Sequence, residues 1–224
     1  MSHKEHLEEI TQDEIKKEFQ LERMILFSDA VFAIVITLLA IDLKLPEGEI
    51  DSADLGKKIL HLLPSFIAYS VSFFFIGSIW YEHLKMFSVL KDYDKGLIFR
   101  NLILLFFIGL FPFSATVITR VSYDYATVSY FIYMGVILLT LGAQYFLYQY
   151  IIVQRPELRN NANLPTHLEE LHKKRISLII FSILLVLIII TYLFITNPKL
   201  KTLSFLWMGT MPVFYKLLMK KKKK

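Results

Sequence analysis

Ser28 and Asp29 stand side by side just inside an apolar stretch, RMILFSDAVFAIVITLLAIDL, that runs from Arg23 to Leu43. A carboxylate at membrane depth is costly and marks function by default. The twelve residues between Asp29 and Asp42 are apolar apart from Thr37. Asp29 can therefore meet an ion, or fasten its helix to a neighbour. Arg23 is six residues away, about 120° around a helix, so the two are not an i, i+4 pair. At matching depth on two later apolar stretches stand Trp80, His83 and Asn101. An indole N–H, an imidazole and a carboxamide can satisfy an aspartate and a serine, and such a network would lock the base of the helix against its own subunit. Beyond Asp29, the side chains of Ile34, Leu38 and Ile41 fall within about 60° of one another, with Thr37 at the edge and Leu39 about 100° from Leu38. Such a stripe faces lipid, a neighbouring helix or a pore, and the residues alone leave these open.

Other chemistry is poorly represented. The chain has no cysteine, hence no disulfide, thiolate nucleophile or Cys-type zinc site. GxSxG, HExxH, P-loop and GxGxxG signatures are absent, and the carboxylates cluster in tails and loops. The chain reads as a non-enzyme that needs no cofactor and no resident metal. His83, His167 and His172 are too scattered for a metal site. The first span contains no Gly or Pro to open its backbone to a substrate, as transporters often do. Pro112 sits inside the third span and predicts a packing kink there.

These residues need membrane helices to position them. The 224 residues are 55% hydrophobic and 15% aromatic, and the apolar residues come in blocks rather than periodic faces. Six spans are expected: Met24–Leu43, Leu63–Lys85, Gly96–Thr119, Ala126–Val153, Ile176–Thr196 and Leu203–Met219. Thr11–Glu14 fits a capping box for a short polar helix ahead of the first span, and Thr166–Glu169 fits another that opens the fifth. Ser52 is placed to cap a short outer helix ending at Pro64. The division expected is a cytosolic segment over 1–23, a six-helix membrane domain over 24–219 and a basic cytosolic tail over 220–224. With six spans, 19 of the 25 Lys and Arg residues fall on one side, among them Arg23, Arg100, Arg155 and Lys220. The positive-inside rule then puts both termini in the cytosol. The net charge of +5 is thereby assigned to loops at the membrane surface, not to nucleic acid.

Arg23, Phe27, Ser28 and Asp29 match the Arg-x-x-x-Phe-Ser-Asp signature of the transmembrane protein 175 family of potassium channels. IWYEHLKMF, with Trp80 and His83, resembles that family's second-helix Trp-x-x-His stretch. RNLILLFFIGLFPFSATV, with Asn101, is similar to its third helix. Leu84 stands where bacterial members often carry a second histidine. The resemblance implies an all-α homotetramer of six-helix chains, with first helices around a central pore. It implies passive conduction of potassium, without a TVGYG filter, through an apolar constriction at Ile34, Leu38 and Ile41, with Thr37 supplying a hydroxyl layer. Arg23, Phe27, Ser28 and Asp29 would then serve structure and assembly, supported by Trp80, His83 and Asn101. A single-repeat chain suits the inner membrane of a prokaryote, in contact with lipid and with copies of itself. The competing readings are a secondary transporter or proton pathway using Asp29 and His83, and a non-conducting membrane scaffold.

Overall fold

The computed structural model describes residues 3–41, 43–44, 55–120, 126–160 and 164–195, with side chains except at 3–13, 55, 57–59, 61, 120 and 126. Six α-helices account for most of these residues: α1 (His3–Ala40), α2 (Leu55–Phe87), α3 (Lys95–Gly109), α4 (Phe111–Arg120), α5 (Ala126–Gln149) and α6 (Leu164–Phe194). Five stretches are long and apolar enough to cross a membrane, with α3 and α4 together forming the third. The protein is an all-helical, multi-pass membrane protein. The sixth expected span, Leu203–Met219, and the Lys220–Lys224 tail lie outside the described residues, as does Ser52.

Several expected boundaries move. No Gly or Pro interrupts His3–Ala40, so α1 passes through Thr11–Glu14 and through residue 23 without a break, and no separate polar helix precedes the span. At 1.5 Å per residue its 38 residues reach about 57 Å, well beyond the hydrocarbon core. Pro64 lies inside α2 rather than between two helices. A proline costs one backbone bond, which a long helix can absorb. Pro112 has the expected effect: α3 stops at Gly109, and Leu110 joins it to α4 through a tight turn in which Leu110 N–H donates to the Phe107 carbonyl at 3.2 Å. Pro165 falls in the first turn of α6, where its missing N–H is harmless, so the helix starts at Leu164 and Thr166 is inside it.

The most buried span is α5, which packs against α3, α4 and α6. On the other side α1 packs against α2 and α3. Past Gln149 the chain continues α5 as one π-helical turn, Tyr150–Gln154, with Tyr150, Ile151 and Ile152 buried. This turn and the short 3-10 turn that follows meet the α2–α3 connection. Leu90 and Arg159 form an isolated antiparallel bridge, and the N–H groups of Lys91 and Asn160 donate to the Leu158 and Val89 carbonyls at 2.9 and 2.8 Å. Lys17 of α1 reaches Asp92 at 3.6 Å. One end of the bundle thus gathers the N-terminal half of α1 and both basic connections.

Candidate functional site

The inner face of α1 is fixed at this basic end by two short hydrogen-bond chains. In the first, Ser28 Oγ donates to the Met24 carbonyl at 2.9 Å and accepts from Asn101 Nδ2 at 2.8 Å. Asn101 Oδ1 lies 3.0 Å from His83 Nε2. A carboxamide oxygen can only accept, so this contact puts the imidazole proton on Nε2. Ser28, His83 and Asn101 are all buried, and the His83 ring stacks on Phe87 with centroids 3.9 Å apart. The buried Nδ1 has no hydrogen-bond partner among the described residues. In the second chain, Trp80 Nε1–H donates to Asp29 Oδ1 at 2.9 Å, at a more exposed place. The residues expected to form one network are thus brought together as two: Ser28–Asn101–His83 inside the protomer, Asp29–Trp80 at its edge.

The outer face of α1 is bare. Ile34, Leu38 and Ile41 are 57%, 42% and 54% exposed, whereas Leu39 is 3% exposed. At about 100° per residue the exposed positions Phe27, Ala30, Ala33, Ile34, Thr37, Leu38, Ala40 and Ile41 fill an arc of about 160°, and Ser28, Phe32, Val35 and Leu39 lie opposite it. Ile34 and Leu38 stand toward one edge of this arc, Thr37 and Ile41 near its middle. Thr37 Oγ1 bonds back to the Ala33 and Ile34 carbonyls at 3.1 and 2.8 Å. With its proton donated to its own helix, the hydroxyl offers only lone pairs outward. The signature residues divide between the two faces. Ser28 points inward and Asp29 sideways, while Arg23 and Phe27 lie on the bare arc, Arg23 with its guanidinium 3.5 Å from Gln20 Oε1.

Further polar ties went unnoticed in the sequence. Gln144 Nε2 of α5 donates to the Ile79 carbonyl of α2 at 3.2 Å, one residue before Trp80. Ser72 and Tyr133 share a buried 2.8 Å hydrogen bond between the same two helices. Lys174 of α6 meets Glu82 at 3.1 Å. Their signal was polar residues set among or beside apolar runs, a pattern that names no partner. At the basic end Asp94 caps α3, accepting from Leu97 N–H and from the Tyr150 hydroxyl, both at 2.6 Å, with Arg155 Nε at 3.4 Å. Partial burial raises the Asp94 pKa, but the Tyr150 hydroxyl, the Leu97 N–H and the Arg155 and Arg100 guanidinium groups outweigh it and hold the carboxyl below its usual value. Tyr150 packs so closely on α3 that a side chain at Gly96 would run into its hydroxyl.

These features define a polytopic helical membrane protein whose first helix is fastened by one face and bare on the other. Residues 23–112 match the family model described as endosomal/lysosomal potassium channel TMEM175. The chain is 37% identical over 90 residues, 40% of its length and 44% of the relative's, to a potassium channel of Chryseobacterium sp. (strain P1-3). It is 39% identical over 98 residues to a potassium channel of Streptomyces collinus, covering 42% of this chain and 45% of that one. The chain thus spans about half the length of these curated relatives. The crystal structure of a lysosomal potassium-selective channel TMEM175 homolog from Chamaesiphon minutus shares the fold, with a TM-score of 0.61 at 22% identity over 92% of this chain and 99% of that one.

Proposed function

We propose that the chain is the subunit of a passive potassium channel in which four copies place their first helices around a central axis. The observation that carries this reading is the pairing of faces on α1. A helix pinned to its own protomer by Ser28 and Asp29 presents, on its opposite side, an exposed arc that is apolar from Phe27 to Ile41 except at Thr37, with no partner helix among the described residues. Four such helices, in a cyclic arrangement, would enclose a narrow apolar passage. The similarity to bacterial potassium channels supplies the ion.

In this reading Asp29 fastens and does not select. Ile34, Leu38 and Ile41 form rings that carry no charge and resist water, so the passage closes by dewetting. A hydrocarbon ring cannot replace a hydration shell, so it favours the ion that sheds water more easily, which is potassium over sodium. Thr37, with outward lone pairs, lines the same passage. The basic end faces the cytosol of a prokaryotic cell, since the positive-inside rule governs short loops and the Lys and Arg residues concentrate there. The transporter and proton readings fit less well, because His83 is buried away from the bare arc and its Nδ1 has no relay partner among the described residues.

The test is flux through purified protein in liposomes. Passive, potassium-preferring flux is expected. Flux that requires a second coupled gradient makes the protein a transporter, and no flux makes it a scaffold. Within the channel reading, Ile34→Asn adds a hydrogen-bonding group to the ring and lowers the dehydration barrier without adding charge. Conductance should rise and the reversal potential under potassium and sodium gradients should shift toward sodium. An unchanged reversal potential in Ile34→Asn would remove Ile34 from the ion path.

A further inference from the structure

The N-terminal half of α1 carries exposed apolar residues where a helix outside the hydrocarbon core should have none. Ile15 and Phe19 are 61% and 56% exposed, within a segment, EIKKEFQLER, that is otherwise dominated by charge. At about 100° per residue Ile15, Phe19 and Leu26 fall within about 40° of one another. Their 4-residue and 7-residue spacing is that of a coiled-coil seam. The line runs directly into the bare arc at Ala30, Ala33 and Thr37, because α1 is one unbroken helix.

The charges flanking this line are sorted by sign. Glu18 and Glu22 lie on one side of it; Lys16 and Arg23 lie on the other. All four are exposed. The acidic flank borders an open cleft of about 750 Å³ against Leu90 and Asp92 of the α2–α3 connection, so the protomer itself leaves room beside these carboxylates. A helix with an acidic left edge and a basic right edge is not self-complementary across a two-fold axis perpendicular to the helix, where like edges meet. It is complementary in a head-to-tail ring, where each acidic edge faces the next copy's basic edge.

We infer that the water-side extension of α1 is an assembly surface for other copies of this chain: Ile15 and Phe19 form an apolar seam about the ring axis, and Glu18 and Glu22 of one copy pair with Lys16 and Arg23 of the next. This rests on the cyclic arrangement of first helices proposed above and extends it beyond the membrane. The seam buries two large apolar side chains per copy that are otherwise held in water. The sorted charges set a single direction around the ring and disfavour wrong registers.

The absence of native cysteine makes the test direct. Phe19→Cys, Lys17→Cys and Thr37→Cys are made separately in the full chain, purified in detergent and oxidised. Lys17 points back toward Asp92 and away from the seam. Cross-linked dimer is expected from Phe19→Cys and not from Lys17→Cys. Thr37→Cys reports on the membrane-level ring independently. Cross-linking at Thr37 but not at Phe19 overturns the seam and leaves the channel reading intact, whereas cross-linking at neither site overturns both. For the charge pairing, Lys16→Glu and Glu18→Lys are each expected to lower the fraction of oligomer that survives mild heating in detergent, and the double exchange to restore it. Both positions are exposed, so the protomer fold is not at stake. A double exchange no better than either single change overturns the pairing.

Discussion

On the inner face of α1 Ser28, Phe32, Val35 and Leu39 are buried; on the outer face Phe27, Ile34, Leu38 and Ile41 stand open, although both sets are apolar but for one serine. The difference is not hydrophobicity. It is whether polar groups on other helices single out a face. Asn101 and Trp80 reach Ser28 and Asp29, and this fixes the rotation of the helix about its axis. In a bilayer, lipid is as good a partner for Leu or Ile as another helix is, so apolar contact alone does not orient a span. Two hydrogen bonds at the base do so for the turns above them. The outer face is left without a partner among the described residues.

The sharpest way to break this comparison is to place the same polar group on each face. Leu39→Asn buries a carboxamide with no designed partner and opens a cavity, at a cost of about 3 kcal/mol, and should strongly lower the midpoint of thermal unfolding in detergent. Ile34→Asn, on the open face, should leave that midpoint nearly unchanged. Equal losses at the two positions would mean that the inner and outer faces are wrongly assigned.

A smaller effect separates the two hydrogen-bond chains. Asn101→Ala removes the bond to Ser28 and strands the His83 Nε2 proton in a buried site, costing about 2–3 kcal/mol, whereas Asp29→Ala removes one more exposed acceptor and costs about 1 kcal/mol. Both should reduce folding or assembly more than ion preference. An Asp29→Ala protein that assembles normally but loses potassium preference would place Asp29 on the ion path.

The smallest effect concerns the basic end, where Asp94 at the start of α3 meets the Tyr150 hydroxyl and Arg155 that follow α5. Asp94 is held below the usual carboxylate value, chiefly by the Tyr150 hydroxyl acting against burial, so folding favours its charged form. That stabilisation is fully present above the unfolded value near pH 4 and is lost as pH falls through the lower folded value. Unfolding midpoints measured from about pH 5 downward should decline less in Asp94→Asn than in the unmodified chain, since asparagine still caps the helix. Parallel declines would assign the acid sensitivity elsewhere.

Much of this protein is legible in one dimension. Apolar blocks of membrane length mark the spans, because a bilayer demands about 20 such residues. Pro112 marks the break between α3 and α4, because its ring and missing N–H act locally. The stripe of Ile34, Leu38 and Ile41 follows from helical spacing alone, and the seven residues from Arg23 to Asp29 carry the resemblance to the potassium-channel family. Local pattern was less reliable at helix starts. The boxes at Thr11 and Thr166 have the right residues but do not open their helices: Thr11 lies within α1 and Thr166 in the first turn of α6, after Leu164. Tertiary structure alone decided that Ser28 pairs with Asn101 and Asp29 with Trp80, and that Arg23 and Phe27 of the same motif turn outward. It also decided the partners of Gln144, Tyr133 and Tyr150. A hydrogen bond needs two groups within about 3 Å, and residues 51 to 73 positions apart acquire that proximity only when the helices have packed.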